Sequence, residues 1–295
     1  MAKIIPSPRE EFKQGWRVLL AAALGTTCSA AAFATASLTF LVPSLDKEMG
    51  WGRQDVSTAA SIFLLGLMVF APVAGRLCDR LGARAIALPS IALTVLALVF
   101  LSTMTTSLPL FYAGYFFLAI GGAGANFVIY SRVVASRFDA MRGLALGTVI
   151  ASTGITIALV PFLVVWASDL YGWRAAYVGL ALFSGAAVLI VYPWLREAKV
   201  PRPDVGSSLQ GMTFPEVRKT RRFWAMAVAL LLMSPVITGA HFHFIPLYSE
   251  KGLSREGGQV AMAFFGVTMV FARPLIGFLL DKLHALTCSP LAVPI

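Results

Sequence analysis

Pro72-Val73-Ala74-Gly75-Arg76-Leu77-Cys78-Asp79-Arg80-Leu81 recurs 202 residues later as Pro274-Leu275-Ile276-Gly277-Phe278-Leu279-Leu280-Asp281-Lys282-Leu283. Each copy closes a long apolar run and ends on an acid beside a base. At the same ungapped offset Glu48, Gly50 and Arg53 meet Glu250, Gly252 and Arg255, while Phe40, Leu45, Ala59 and Phe63 meet Phe242, Leu247, Ala261 and Phe265. Register held through a polar loop and an apolar run together means that one loop and its flanking helices were duplicated as a unit, as in repeat-built membrane bundles. The copies differ at one informative position, Ala71 in the first and Arg273 in the second.

The composition places the chain in lipid. Hydrophobic residues make up 58%, charged residues 13%, and the mean hydropathy is +0.79; soluble domains carry about 25% charge. Eight apolar spans are expected, at 18–42, 56–75, 85–103, 109–131, 144–167, 175–195, 223–248 and 258–280, each near the ~20 residues a bilayer-crossing helix needs. The expected class is therefore an all-α membrane protein. The first apolar run continues through Phe40, Leu41 and Val42, too long for the core of a signal peptide. It is read as an uncleaved span.

Lysine and arginine set the orientation. With a cytoplasmic N-terminus, the inside segments hold 17 basic residues and the outside loops five, namely Lys47, Arg53, Arg174, Lys251 and Arg255. This is the positive-inside pattern, and it predicts a multi-pass protein of the plasma (inner) membrane. The net charge of +10 then reports topology and contact with anionic lipid, and no nucleic-acid partner is expected. Cys28, Cys78 and Cys288 have neither disulfide nor metal spacing. Neither a metal site nor a cofactor is expected.

The longest interior loop, 196–222, carries Pro201, Pro203 and seven basic residues. Proline and charge read as a linker along the membrane face. The predicted organisation is a six-helix bundle over 1–195, the basic linker over 196–222, and a partial second bundle over 223–295 holding two spans and a tail.

Six spans, a basic central loop and a repeated hairpin resemble the major facilitator superfamily of secondary transporters. The resemblance rests on Gly75-Arg76-Leu77-Cys78-Asp79-Arg80-Leu81-Gly82-Ala83-Arg84, similar to that family's signature between its second and third helices. It implies a conformational latch built from Gly75, Asp79, Arg80, Gly82 and Arg84, with Gly277 and Asp281 as the second copy. Gly75 would let span 2 approach a neighbour closely. Arg142-Gly143-Leu144-Ala145-Leu146-Gly147 through Ser152-Thr153-Gly154, with Pro161, resembles the fifth helix of the monocarboxylate and oxalate/formate transporter groups. Ala272-Arg273-Pro274 with Gly277 and Asp281 resembles their eighth. The acidic-aromatic signature of animal monocarboxylate carriers is not visible in span 1.

All 14 acids fall in loops or at span ends, whereas Arg273 lies eight residues before Asp281, or about 12 Å along a helix. A charge at that depth costs several kcal/mol unless paired, and it marks a functional site. Its planar fork matches a carboxylate bidentately, and the resemblance likewise implies substrate binding at this position. The competing reading is a structural arginine that caps a carbonyl. Where the carrier pattern has Asp four residues earlier, this chain has Met269, which weakens a proton relay through an Arg–Asp pair. His241 and His243 are candidates to accompany proton-coupled anion entry, and Asn126 and Tyr130 are candidates to face the cavity. Thr26, Thr27 and Ser152 are weaker ones.

The expected function is alternating-access transport of a small organic anion, a monocarboxylate first. After Asp281 the pattern leaves the repeat, so a truncated product lacking four helices, and inactive alone, is the expectation. Two alternatives stand: a facilitator-family exporter of drugs or other metabolites, and a transport-dead sensor or remnant. No HExxH, nucleophile elbow, redox cysteine pair or acid cluster points to an enzyme.

Overall fold

The computed structural model describes residues 8–195, 214–250 and 255–288, with the side chains of 8, 53, 214, 215, 235, 237, 238, 240–250, 255, 256 and 283–288 outside the description. The described residues form helices joined by short turns: α1 (Pro8–Thr27), α2 (Ala30–Phe40), α3 (Val42–Met49), α4 (Arg53–Leu81), α5 (Ala83–Ser102), α6 (Leu108–Gly124), α7 (Phe127–Ala135), α8 (Arg142–Tyr171), α9 (Trp173–Trp194), α10 (Phe214–Val217), α11 (Arg221–Glu250) and α12 (Arg255–Cys288). Among the described residues, seven stretches are long and apolar enough to cross a membrane: Arg9–Phe40, Gln54–Leu81, Ala83–Ser102, Leu108–Ala135, Arg142–Tyr171, Trp173–Trp194 and Gly257–Lys282. These match seven of the eight expected spans. The other, 223–248, falls in α11, many of whose side chains lie outside the description.

Two spans are broken in the middle, for readable reasons. Span 1 divides into α1 and α2 at Cys28 and Ser29. Just before the break, Thr26 and Thr27 turn their hydroxyls back on the carbonyls of Ala22 and Ala23, at 2.7 and 2.8 Å, a bond that competes with the regular ladder. A break in a soluble helix could leave freed carbonyls to water; lipid offers none. Here α8 supplies the donors instead. Ser152 Oγ reaches the Ala23 carbonyl at 2.8 Å and Thr156 Oγ1 reaches that of Thr27 at 2.6 Å. Span 4 divides into α6 and α7 at Ala125 and Asn126, after the glycine-rich run 121–124.

The turns between antiparallel spans are tight. Gly82 joins α4 to α5 at φ 89° and Gly172 joins α8 to α9 at φ 85°, conformations that a Cβ would strain. Gly82 thus serves the repeated motif as its corner.

The contacts divide the chain into two units, one made of α1 to α9 with α12 from Gln259 onward, the other holding α10 and α11. In the first, α4, α6, α5, α9, α8 and α1 pack in that lateral order. A core around Val18, Ala22, Ile91, Tyr130, Val133 and Phe138 is almost wholly shielded. Elsewhere, fully buried hydroxyls link three helices: Tyr115 Oη lies 2.9 Å from Ser37 Oγ and 2.8 Å from Tyr177 Oη. Large apolar side chains such as Met68, Leu96, Leu159 and Leu182 remain exposed, as a surface written for lipid requires. In the second unit, the Thr220 hydroxyl accepts from the Phe223 amide at 3.3 Å at the start of α11.

Candidate functional site

The chemistry predicted from the repeat gathers along the seam between α8 and α12. This seam is built from backbone. A Cβ on Gly277 would run into the Gly143 carbonyl, and one on Gly266 would lie 2.7 Å from the Ala158 amide nitrogen. A Cβ on Gly147 would lie 2.7 Å from the Arg273 carbonyl oxygen and 3.2 Å from Pro274 Cα. Small residues let helices approach this closely, which is how membrane helices gain packing energy when lipid is as apolar as they are.

Two polar clasps from α12 close on α8. At the amino end of α8, Asp281 accepts from the amides of Gly143 and Leu144, each at 2.8 Å. These are amides that no helix can satisfy internally, at the positive pole of the helix dipole. A second carboxylate converges on the same end. Glu11, only 4% exposed, accepts from the amides of Asp139 and Ala140 at 3.1 Å and of Met141 at 3.3 Å. Further along the seam, Arg273 Nη1 donates to the Ile150 carbonyl at 2.7 Å and to Thr153 Oγ1 at 2.6 Å. Thr153 in turn donates to the Ile150 carbonyl at 2.7 Å. The guanidinium is half-buried, and no carboxylate pairs with it among the described residues.

The first copy of the motif behaves differently. Asp79 forms an ion pair with Arg132 at the far end of α7, on the surface. Arg84 is committed elsewhere, with its guanidinium 4.5 Å from the Tyr192 ring centre. The resemblance set Asp79 in a latch beside Arg80 and Arg84; here Arg132, a base 53 residues away, pairs with it. Gly75 also departs from expectation. No atom among the described residues lies within 4 Å of a Cβ placed there, so the close approach belongs to its counterpart Gly277.

Asn126 and Tyr130 separate. Asn126 precedes α7 as its cap residue, half-buried and without a side-chain capping bond. Tyr130 is fully buried, with its ring pressed against Gly25 of α1 and its hydroxyl unpartnered. Gly25 leaves a notch that the ring fills in this structure. Among the described residues, the hydrogen bonds of Arg273 go to Ile150 and Thr153 rather than to either of these. His241 and His243 fall within α11, and their side chains lie outside the described residues. Among the described residues no cluster of His, Cys, Asp and Glu could hold a metal ion.

Sequence reasoning passed over Glu11 and gave Thr153 no role of its own. It also missed Glu48, whose carboxylate accepts from Trp173 Nε1 at 2.6 Å and from Arg174 Nη1 at 2.5 Å. Arg174 also reaches the Met104 carbonyl at 3.1 Å. The Arg174 guanidinium holds the Glu48 carboxyl below the usual carboxylate range, with a smaller contribution from the Trp173 indole, against an opposing push from desolvation.

A bundle of apolar spans with a duplicated acidic hairpin and polar clasps on glycine-lined seams marks a multi-pass membrane protein. The family model of the Major Facilitator Superfamily matches residues 22–294, and the chain belongs to that family. Among curated relatives it is similar to monocarboxylate transporter 11 of Mus musculus, 26% identical over 287 residues, which cover 94% of this chain and 62% of that protein. It is also similar to multidrug resistance protein MdtL of Shigella flexneri, 25% identical over 234 residues, covering 78% of this chain and 59% of that one. The MFS-type transporter YfiU of Bacillus subtilis is 29% identical over 171 residues, 57% of this chain and 32% of its own length. The chain thus spans about three fifths of the first two relatives' length.

Proposed function

We propose that the protein is a secondary active carrier of a small organic anion, a monocarboxylate first, in which Arg273 holds the carboxylate. The observation that carries this reading is the half-buried Arg273 guanidinium. It makes two hydrogen bonds, both from Nη1, and no carboxylate neutralises it among the described residues. A buried cation without an acid is costly unless an anion arrives. The similarity to a monocarboxylate transporter over 94% of the chain supports the same class.

In this reading the protein sits in the plasma (inner) membrane with a cytoplasmic N-terminus, the 196–222 segment links two bundles, and His241 and His243 are candidates for a coupled proton. Asp281 and Asp79 act as latches. Asp281 holds the amino end of α8 in one state and releases it as the carrier rocks to the other.

A second reading, export of drugs or other metabolites, is favoured by the MdtL relatives. Uptake by the full-length protein in proteoliposomes separates the two. Small carboxylates competing with a labelled carboxylate, and cationic dyes failing to compete, support the first; transport of the dyes with indifference to carboxylates supports the second.

A further inference from the structure

An arginine guanidinium carries five N–H donors in a fixed plane, two on Nη1, two on Nη2 and one on Nε. Both protons of Nη1 are spent here, one on the Ile150 carbonyl and one on Thr153 Oγ1. That leaves Nε and Nη2, which make no hydrogen bond among the described residues. A carboxylate meets arginine by one of two parallel pairs: the end-on pair, Nη1 with Nη2, or the side-on pair, Nε with Nη2. Occupation of Nη1 removes the end-on pair and leaves the side-on pair intact.

We infer that Thr153 is a positioning residue for the anion site, pinning Arg273 Nη1 to α8 so that its Nε–Nη2 edge is presented to a carboxylate. The inference rests on the reading of Arg273 as the carboxylate-binding residue. The arrangement satisfies the hydroxyl in both roles: Thr153 donates to the Ile150 carbonyl at 2.7 Å while accepting from Arg273 at 2.6 Å. It also explains the packing one turn away. Arg273 reaches this point of α8 because its own backbone lies where a Cβ on Gly147 would stand. A long side chain that would otherwise sample many rotamers is thereby held in one before substrate arrives, which lowers the cost of binding.

The test uses the full-length carrier. Binding of pyruvate, formate and oxalate is measured by titration calorimetry, with the neutral amide of pyruvate as control, for wild type, Thr153→Val, Thr153→Ala, Thr153→Ser and Arg273→Lys. Melting temperature without ligand is recorded for each. Thr153→Val and Thr153→Ala are expected to weaken carboxylate binding about ten-fold, the scale of one lost hydrogen bond to a charged group. Thr153→Ser, which keeps the hydroxyl, stays within about two-fold of wild type. In uptake, the Val variant raises KM while the maximal rate holds.

Carboxylate affinity unchanged in both the Val and Ala variants, with Arg273→Lys binding abolished, overturns the role of Thr153 and leaves the anion site standing. A wild type that binds none of the three anions, or a lysine variant that binds them normally, overturns the site reading and the inference with it. If affinity falls with the Val and Ala variants but the serine variant does not restore it, the hydroxyl is not the cause and the inference also fails.

Discussion

Asp281 accepts hydrogen bonds from the amide of Gly143 at 2.8 Å and from the next amide at the same distance, so an acid from the second copy of the repeat closes the amino end of α8, a helix that belongs to neither copy. The charge does what a capping side chain does in a soluble helix, from another segment 138 residues away. Asp281→Ala should cost about 1 kcal/mol, as for loss of a helix cap, because two amides at the helix's positive pole lose their acceptor. Glu11 remains on the neighbouring amides and limits the loss. Thermal unfolding in detergent reads the difference, and a melting temperature equal to wild type would show that Asp281 contributes nothing there.

The two glycines of the duplicated motif should respond differently to the same substitution. Gly277→Ala forces a methyl group into the Gly143 carbonyl, whereas Gly75→Ala places one in space left open by the described residues. Overpacking of this kind costs about 1–3 kcal/mol, and the helical alanine itself is slightly favourable at the open site. Gly277→Ala is expected to lower the melting temperature and Gly75→Ala to leave it level or raise it. Equal effects would contradict the seam described above.

Hydrophobicity and local motif made much of this legible. The spans follow from apolar length alone, and Arg273 and Asp281 stand out because charge is rare in such a chain. What stayed hidden depends on contacts across the sequence. Glu11 looks like an ordinary acid in a basic N-terminal segment, and only folding brings it to amides 128 residues later. Thr153 is one small polar residue among several in α8, with nothing local to mark its partner 120 residues on. Gly75 and Gly277 are identical in the motif. They differ only in what each helix packs against, which a repeat cannot encode.

Tyr115 ties Ser37 and Tyr177 into one buried chain of hydroxyls. Tyr115→Phe keeps the ring and strands the Tyr177 hydroxyl, while Ser37 retains the Phe33 carbonyl at 2.7 Å. A buried orphan group costs about 1–3 kcal/mol, so a clear fall in melting temperature is expected. Adding Tyr177→Phe should recover part of it, because the orphan goes with its partner; a further full loss in the double variant would argue against the chain.

Glu48 gives stability a pH dependence of definite sign. Its carboxyl is held below its ordinary range by Arg174 first and by Trp173 to a smaller degree. The contribution is therefore fully present above the unfolded value of about 4.3 and is lost as pH falls through the lower folded value. The side chain is 48% exposed, so the effect is small. Melting temperature measured from pH 7 down to 3 should fall less steeply in Glu48→Gln than in wild type, and parallel curves would remove Glu48 from the account.

The most direct measurement of the central claim is uptake of a labelled monocarboxylate by the full-length protein in proteoliposomes, wild type against Arg273→Lys. Lysine keeps the charge and loses the paired donors of the fork. The account predicts carboxylate uptake by the wild type and its loss in the lysine variant, with the protein still folded by its melting temperature. Normal uptake by Arg273→Lys would contradict it.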